Sequence, residues 1–166
     1  MVLMIKLVIF DADETLWASY GYWTSLLIPP LKRVNEDEIK DSEGKSITLF
    51  DGVRQLLGTL KDRGILISLV SLNDNEPNRV AECLELFELN HYFVYPQVNW
   101  NDKGQNIKKV LELLRKNEGK TINCNEVLFV DDHLSNINKA KAACPGITAI
   151  HIGSNISQVT EIINFL

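Results

Sequence analysis

Apolar positions follow two different spacings along this chain, and the two alternate. Leu3 to Phe10 is a nearly continuous apolar run, the pattern of a strand covered on both faces. Asp51 stands where it can cap a helix striped by Val53, Leu56, Leu57 and Leu60, with Gly64 at its end. Ile65 to Val70 repeats the buried-strand pattern, and a helix with Val80, Cys83, Leu84 and Phe87 on one face follows it. Tyr92 to Val98 predicts a short third strand. Residues 104 to 117 predict a helix striped by Ile107, Val110, Leu111 and Leu114 and closed by Gly119. Glu126 to Val130 predicts a fourth strand, Asn136 to Ala143 a short helix, and Ile147 to Ile152 a fifth strand. Val159, Ile162, Ile163 and Leu166 stripe a last helix. Residues 18 to 48 hold neither period and predict a long irregular stretch.

Five alternations of strand and helix imply a parallel sheet with helices on both faces. Right-handed crossovers make it an α/β, three-layer, doubly wound (Rossmann-like) sheet of five mainly parallel strands. The 166 residues suffice for one such domain, spanning 1–166, and are too few for two ordinary ones. The apolar share of 45% and charged share of 23% are those of a globular protein. A net charge of −5 disfavours nucleic acid as a partner. No apolar run reaches membrane-spanning length, and the apolar start lacks the basic residues and cleavage site of a signal peptide, so a cytoplasmic protein is expected. Cys83, Cys124 and Cys144 are far apart and odd in number; all three read as reduced, with no disulfide framework and no zinc site.

Ligands in doubly wound folds sit past the carboxyl ends of the strands, so the residues just after each strand are the candidates for chemistry. Those residues are Asp11-Ala-Asp13-Glu-Thr15, Ser71-Leu-Asn73-Asp74, Asn99-Trp-Asn-Asp102-Lys103 and Asp131-Asp132-His-Leu-Ser-Asn136. Asp11, Asp13, Asp131 and Asp132 converge on one sheet edge, where mutual repulsion would force protonation unless a hard divalent cation joins them. Mg²⁺ suits such oxygen ligands and binds phosphate alongside. Lys103, the Ser71 hydroxyl and backbone N–H groups at Ala12, Asp13 and Leu72 complete a set fit for phosphoryl oxygens. A carboxylate can attack phosphorus, and a second one two residues on can move the protons, which matches Asp11 and Asp13.

These motifs resemble the haloacid dehalogenase-like superfamily: D-x-D-x-T after an apolar strand (Asp11 to Thr15), a strand-end Ser (Ser71), a Lys (Lys103) and a late acidic pair (Asp131-Asp132), in that order. The closer resemblance is to its small, uncapped branch of magnesium-dependent phosphatases. The chain shares with them F-D-x-D-x-T-L-W, the L-E-L-F segment from Leu84 to Phe87, F-x-D-D before an Asn, and an I-H-I strand from Ile150 to Ile152. The resemblance implies Asp11 as nucleophile and Asp13 as general acid/base. It implies Mg²⁺ held by the Asp11 side chain, the Asp13 backbone carbonyl and Asp132, with Thr15, Asp131 and Asn136 behind these ligands. Ser71, Lys103 and the backbone at Ala12 and Leu72 would hold phosphate. The implied substrate is a phosphorylated small molecule or a phosphoprotein, including phosphotyrosine or a phosphosugar-modified protein.

Two departures bear on substrate. Leu72 stands where those phosphatases carry Arg, and S-L-N-D with N-W-N-D-K looks more like a sister group that loads glyceryl units onto acyl-carrier proteins. That group usually has G-G after the first Trp, where this chain has Ala18-Ser19. Residues 18 to 48 occupy the place of the superfamily's cap domains and are expected to be a minimal cap, a flap beside an open site. Trp17 and Trp23 are candidates for its entrance. A third class, a non-catalytic receiver-like module, has its acidic pair after the first strand, whereas here a D-x-D comes first and the pair late.

Overall fold

The computed structural model describes residues 4–166. In chain order it forms strand β1 (Leu7–Phe10), strands β2 (Trp17–Ala18), β3 (Lys32–Asn35), β4 (Glu38–Lys40) and β5 (Ser46–Leu49), helix α1 (Val53–Asp62), β6 (Leu66–Ser71), α2 (Arg79–Leu86), β7 (Gln97–Val98), α3 (Lys103–Glu118), β8 (Val127–Asp131), α4 (Leu134–Ala143) and β9 (Thr148–His151). The five-stranded sheet has the order β7-β6-β1-β8-β9, and each adjacent pair in it is parallel. The chain works outward from β1 to one edge and then to the other, so the strand order switches direction at β1.

Burial on both faces explains the continuous apolar runs. Val8 and Phe10 point into a core shared with α1, α2 and the C-terminal segment. Leu7 and Ile9 point into a second core shared with α3 and α4. This alternation across β1 is the three-layer arrangement expected from the sequence. The α2 stripe of Val80, Cys83, Leu84 and Phe87 is buried as expected, and burial pushes the Cys83 thiol far above its usual pKa, as for an inert core group.

Several local expectations are corrected. The run expected to begin at Leu3 becomes a strand only from Leu7; Leu3 lies outside the described residues. The N-cap of α1 is Gly52, at φ 80, and no side chain caps the helix, so Asp51 does not do so. The third strand shortens to Gln97–Val98 plus a bridge between Phe93 and Ile67. It is interrupted where Tyr95 turns left-handed and Pro96 offers no N–H. The last helix is a 3₁₀ segment, Val159–Phe165, burying Val159 and Ile162 at its own three-residue period.

The stretch expected to be irregular holds a four-stranded antiparallel sheet, β2-β5-β4-β3. Ile39, Ile47 and Leu49 bury one face of it, while β3 is largely exposed. Its β4–β5 hairpin is closed by Asp41, whose carboxylate accepts from the N–H groups of Ile28, Glu43 and Lys45. Arg54 of α1 donates to the carbonyls of Phe87 and Glu36, which ties this sheet to the main body.

Cys124 and Cys144, read from the sequence as reduced, form a disulfide across 20 positions, Cα–Cα 5.4 Å. Cys124 lies in the 3₁₀ turn before β8 and Cys144 caps the C-terminus of α4. The β8–α4 unit folds back on itself and returns α4's end to the start of β8, a closeness that linear spacing hides.

Helices α3 and α4 meet at Gly104. A Cβ there would lie 2.5 Å from Ala143 Cβ and 2.8 Å from the Lys139 carbonyl. Gly104→Ala is therefore expected to cost about 1–3 kcal/mol in stability by forcing α3 off α4. Urea unfolding checks this, and a loss below about 0.5 kcal/mol would show that the helices part freely.

Candidate active site

The parallel pairing of β1 with β8 sets their carboxyl ends side by side, so Asp11, just past β1, comes beside Asp131 and Asp132 at the end of β8. Carboxylate oxygens of the three lie within 4.8 Å of one another. Lys103, the first residue of α3, reaches back beneath them. Its Nζ is 2.7 Å from Asp11 Oδ1, 3.0 Å from Asp131 Oδ2 and 2.6 Å from the Val70 carbonyl. The side chain is 1% exposed, so this is a buried ammonium and not a surface charge. Lys108 and Lys109, its neighbours in sequence, are exposed.

The remaining oxygens divide clearly. Thr15 donates its hydroxyl to Asp11 Oδ2 at 3.1 Å. Asp131, fully buried, accepts from His133 N–H at Oδ1 and from Asn136 Nδ2 at Oδ2, so the protein engages both its oxygens. Asp132 Oδ1 is buried without a hydrogen-bond partner among the described residues. A buried polar atom left in this way carries a desolvation cost that a bound cation or an ordered water relieves.

The charges agree with this division. Burial foremost pushes the Asp11 carboxyl well above its usual pKa, opposed by Lys103, while the charges of Asp131 and Asp132 push with it. Burial also raises Asp132. Burial opposes the Lys103 charge, yet Asp11 and Asp131 overcome it and hold the ammonium above its usual pKa. Three carboxylates against one ammonium leave two negative charges uncompensated, the charge of a divalent cation. The donor set, all hard oxygen with one orphaned atom, fits Mg²⁺.

Asp13 does not point into this cluster. Its Oδ1 accepts from Trp17 Nε1 at 3.0 Å and from the Thr24 hydroxyl, and its Oδ2 from Thr24 N–H at 3.1 Å and Asn73 Nδ2 at 3.0 Å. Glu14, in a left-handed conformation at φ 61, turns the chain directly after Asp13, and its carboxylate takes the N–H and hydroxyl of Ser19. Ser71 closes β6 with its hydroxyl fully buried and bonded by Asn73 Nδ2 at 2.9 Å. Among the described residues, the backbone N–H groups of Ala12, Asp13 and Leu72 donate to no backbone carbonyl outside the strand ladders.

A cleft of about 300 Å³ joins these groups, lined among others by Asp11, Asp13, Ser71, Leu72, Lys103 and Asn136. Sequence reading thus gathers most of its candidates in one place, with Ala12 fully buried behind Asp11. Trp17, expected at the entrance, is fully buried and holds Asp13 instead. The entrance is formed by Trp23 and Trp100, which meet edge to face at 5.6 Å. Sequence reading places Asn73 and Trp100 among the strand-end residues without giving either a role, and it misses Thr24. Asn73 carries a signal, two positions past Ser71 at a strand end, whereas Thr24 sits in the aperiodic stretch and carries none.

A five-stranded parallel sheet with an acidic cluster at its switch point is the arrangement of a haloacid dehalogenase-like hydrolase fold. Residues 3–163 match the acid phosphatase family, and the chain belongs to that family. Among solved structures, a haloacid dehalogenase-superfamily hydrolase from Ehrlichia chaffeensis aligns with TM-score 0.70 and 21% identity over 99% of this chain and 97% of that one. A phosphatase-domain fragment of a Bacteroides fragilis protein, solved with Mg, aligns with TM-score 0.57 and 23% identity over 89% of this chain, which spans only 36% of that one. The cobalt-bound deoxy-D-mannose-octulosonate 8-phosphate phosphatase of Haemophilus influenzae aligns with TM-score 0.50 and 19% identity, covering 86% of this chain and 66% of that one. Comparison with curated protein sequences gives no match.

Proposed function

We propose that this chain is a Mg²⁺-dependent phosphatase that hydrolyses phosphomonoesters through an aspartyl-phosphate intermediate. The observation that carries the reading is the set of Asp11, Asp132 and buried Lys103, which together with Asp131 holds two negative charges in excess, beside a cleft of about 300 Å³. Asp11 attacks phosphorus in line, and the bond from phosphorus to the leaving oxygen breaks. Asp13 gives that oxygen a proton, then takes one from the water that attacks the aspartyl phosphate, releasing inorganic phosphate and restoring Asp11. Ser71, Lys103 and the open N–H groups of Ala12 and Leu72 hold the phosphoryl oxygens. Asp11, the Asp13 carbonyl and Asp132 would hold Mg²⁺, which when bound supplies the missing positive charge and polarises the phosphoryl group. Thr15, Asp131 and Asn136 act from behind, fixing Asp11 and Lys103.

Residues 1–166 form a single domain in this reading, with 18–48 as a flap that leaves the site open. An open site suits a phosphorylated small molecule, such as the sugar phosphate named for the Haemophilus influenzae enzyme, and equally a phosphotyrosine or phosphosugar-modified protein. A second reading, glyceryl transfer to an acyl-carrier protein, is favoured by Asn73 and Trp100 standing at the cleft, since both belong to the segments that resemble that sister group. Among the described residues no helix is long and apolar enough to cross a membrane. A cytoplasmic location belongs to the proposal through the sequence, and the Cys124–Cys144 bridge weighs against it, because disulfides persist in oxidising compartments.

The test is hydrolysis of 4-nitrophenyl phosphate with Mg²⁺ and with a chelator, for wild type and Asp13→Asn. Turnover is expected only with the cation, and kcat is expected to fall about a hundredfold or more in the variant, because the water that attacks the aspartyl phosphate loses its general base. A folded wild type that turns over no phosphoester with Mg²⁺ present would rule the reading out and direct attention to carrier-protein partners.

A further inference from the structure

The residues holding Asp13 come from two separate places, and one of them is the accessory segment. Thr24 begins a short 3₁₀ turn, Thr24–Leu26, between β2 and β3, and it is fully buried. It meets Asp13 twice, through its N–H to Oδ2 and its hydroxyl to Oδ1. The next residue, Ser25, donates its N–H and hydroxyl to Asn73 Oδ1, at 2.8 and 2.6 Å. The Asn73 amide donates in turn to Asp13 Oδ2 and to Ser71 Oγ. One turn of the accessory segment is thus fastened to the residues past β1 and past β6 at once.

The partners of Asp13 differ in kind. The indole N–H of Trp17, the backbone N–H of Thr24 and the amide of Asn73 can only donate. They fix the carboxylate in place, but they offer nothing to a proton that it carries. The Thr24 hydroxyl is the one group in the set that both donates and accepts, and it already accepts from Trp17 Nε1 at 3.1 Å. A hydroxyl rotates at small cost, so Thr24 alone can serve Asp13 on either side of a proton transfer.

We propose that Thr24 is a positioning residue for Asp13, aligning its carboxyl group for proton delivery to the leaving oxygen. The proposal rests on the phosphatase reading and adds to it a residue in the accessory segment whose effect depends on the leaving group. Where the leaving oxygen is that of an alkyl alcohol, departure requires a proton, and misalignment of Asp13 is costly. Where it is 4-nitrophenolate, a stable anion departs unaided, and misalignment matters little.

The experiment compares kcat/KM for an alkyl phosphate, glycerol phosphate, with that for 4-nitrophenyl phosphate, both with Mg²⁺, in wild type, Thr24→Val and Thr24→Ser. This ratio reports the steps up to departure of the leaving group, and so isolates the delivery of the proton. Thr24→Val is expected to lower kcat/KM for the alkyl ester about a hundredfold and for the aryl ester less than about threefold, the range of a lost general acid. Thr24→Ser, which keeps the hydroxyl, is expected to restore the alkyl activity. If Thr24→Val melts early, Thr24→Ala is read in the same way. An equal loss on both esters, no loss on either, or failure of Thr24→Ser to recover the difference would overturn the role. A wild type inactive on both esters would defeat the phosphatase reading itself, which the two-substrate comparison separates from failure of Thr24.

Discussion

Asp11→Asn is expected to abolish turnover, by about a thousandfold or more, while the protein still folds. The amide cannot form the acyl phosphate, so no rate through the intermediate survives. The consequence for folding runs the other way. Burial already pushes the Asp11 carboxyl up, so its ionised form is the costly one in the absence of a cation. The amide keeps an oxygen to accept from Lys103 and an NH₂ facing the Thr15 hydroxyl, which can turn to accept. The thermal midpoint of the variant, measured in a chelator, should therefore be no lower than that of wild type. Retained turnover would remove Asp11 from the role of nucleophile. A midpoint well below wild type would show that the ionised carboxylate holds the fold together, against the unfavourable burial of its charge.

Lys103→Met carries the opposite signature, a loss of structure as well as of activity. Methionine replaces the volume but leaves Asp11 and Asp131 buried beside each other with no ammonium between them. Removing one partner of a buried ionic cluster costs about 3–5 kcal/mol, because the remaining charges lose their compensation while staying out of water. Urea unfolding in a chelator measures it. A loss under about 1 kcal/mol would mean that the carboxylates take up protons or water without cost, and that the buried ammonium is not what holds them. The pair of variants is informative together: one removes a negative charge from a site with too many, the other removes the ammonium that offsets them.

Much of this was readable along the chain because strands covered on both faces must be apolar throughout, and amphipathic helices must repeat every three or four positions. β1, β6, β8 and β9, with α1 to α4, announce themselves in this way. Parallel strands then put the residues after each carboxyl end on one sheet edge, so the pattern along the chain alone brings Asp11, Ser71, Lys103 and the Asp131-Asp132 pair together. The accessory sheet was not readable, because its strands are two to four residues long and bury only a few side chains such as Ile39, Ile47 and Leu49. Runs that short do not establish a period. The end of the chain is misleading for a related reason: Val159 and Ile162 satisfy a 3₁₀ turn as well as an α-helix.

The sequence by itself determined the layered sheet, the edge where chemistry gathers, and the identities of the acids and the lysine, since these follow from periodicity and from topology rules that hold for any doubly wound chain. Tertiary structure alone decided the rest. It showed that Asp131 is occupied by His133, Asn136 and Lys103 while Asp132 keeps an oxygen free, that Trp17 is buried against Asp13 while Trp100 joins Trp23 at the entrance, that Cys124 meets Cys144, and that Thr24 reaches Asp13 across eleven positions. The reason is physical. Periodicity reports which face of an element is buried, a property of neighbouring positions, whereas hydrogen-bond partners are chosen by where separate segments meet in space, and no spacing along the chain encodes that.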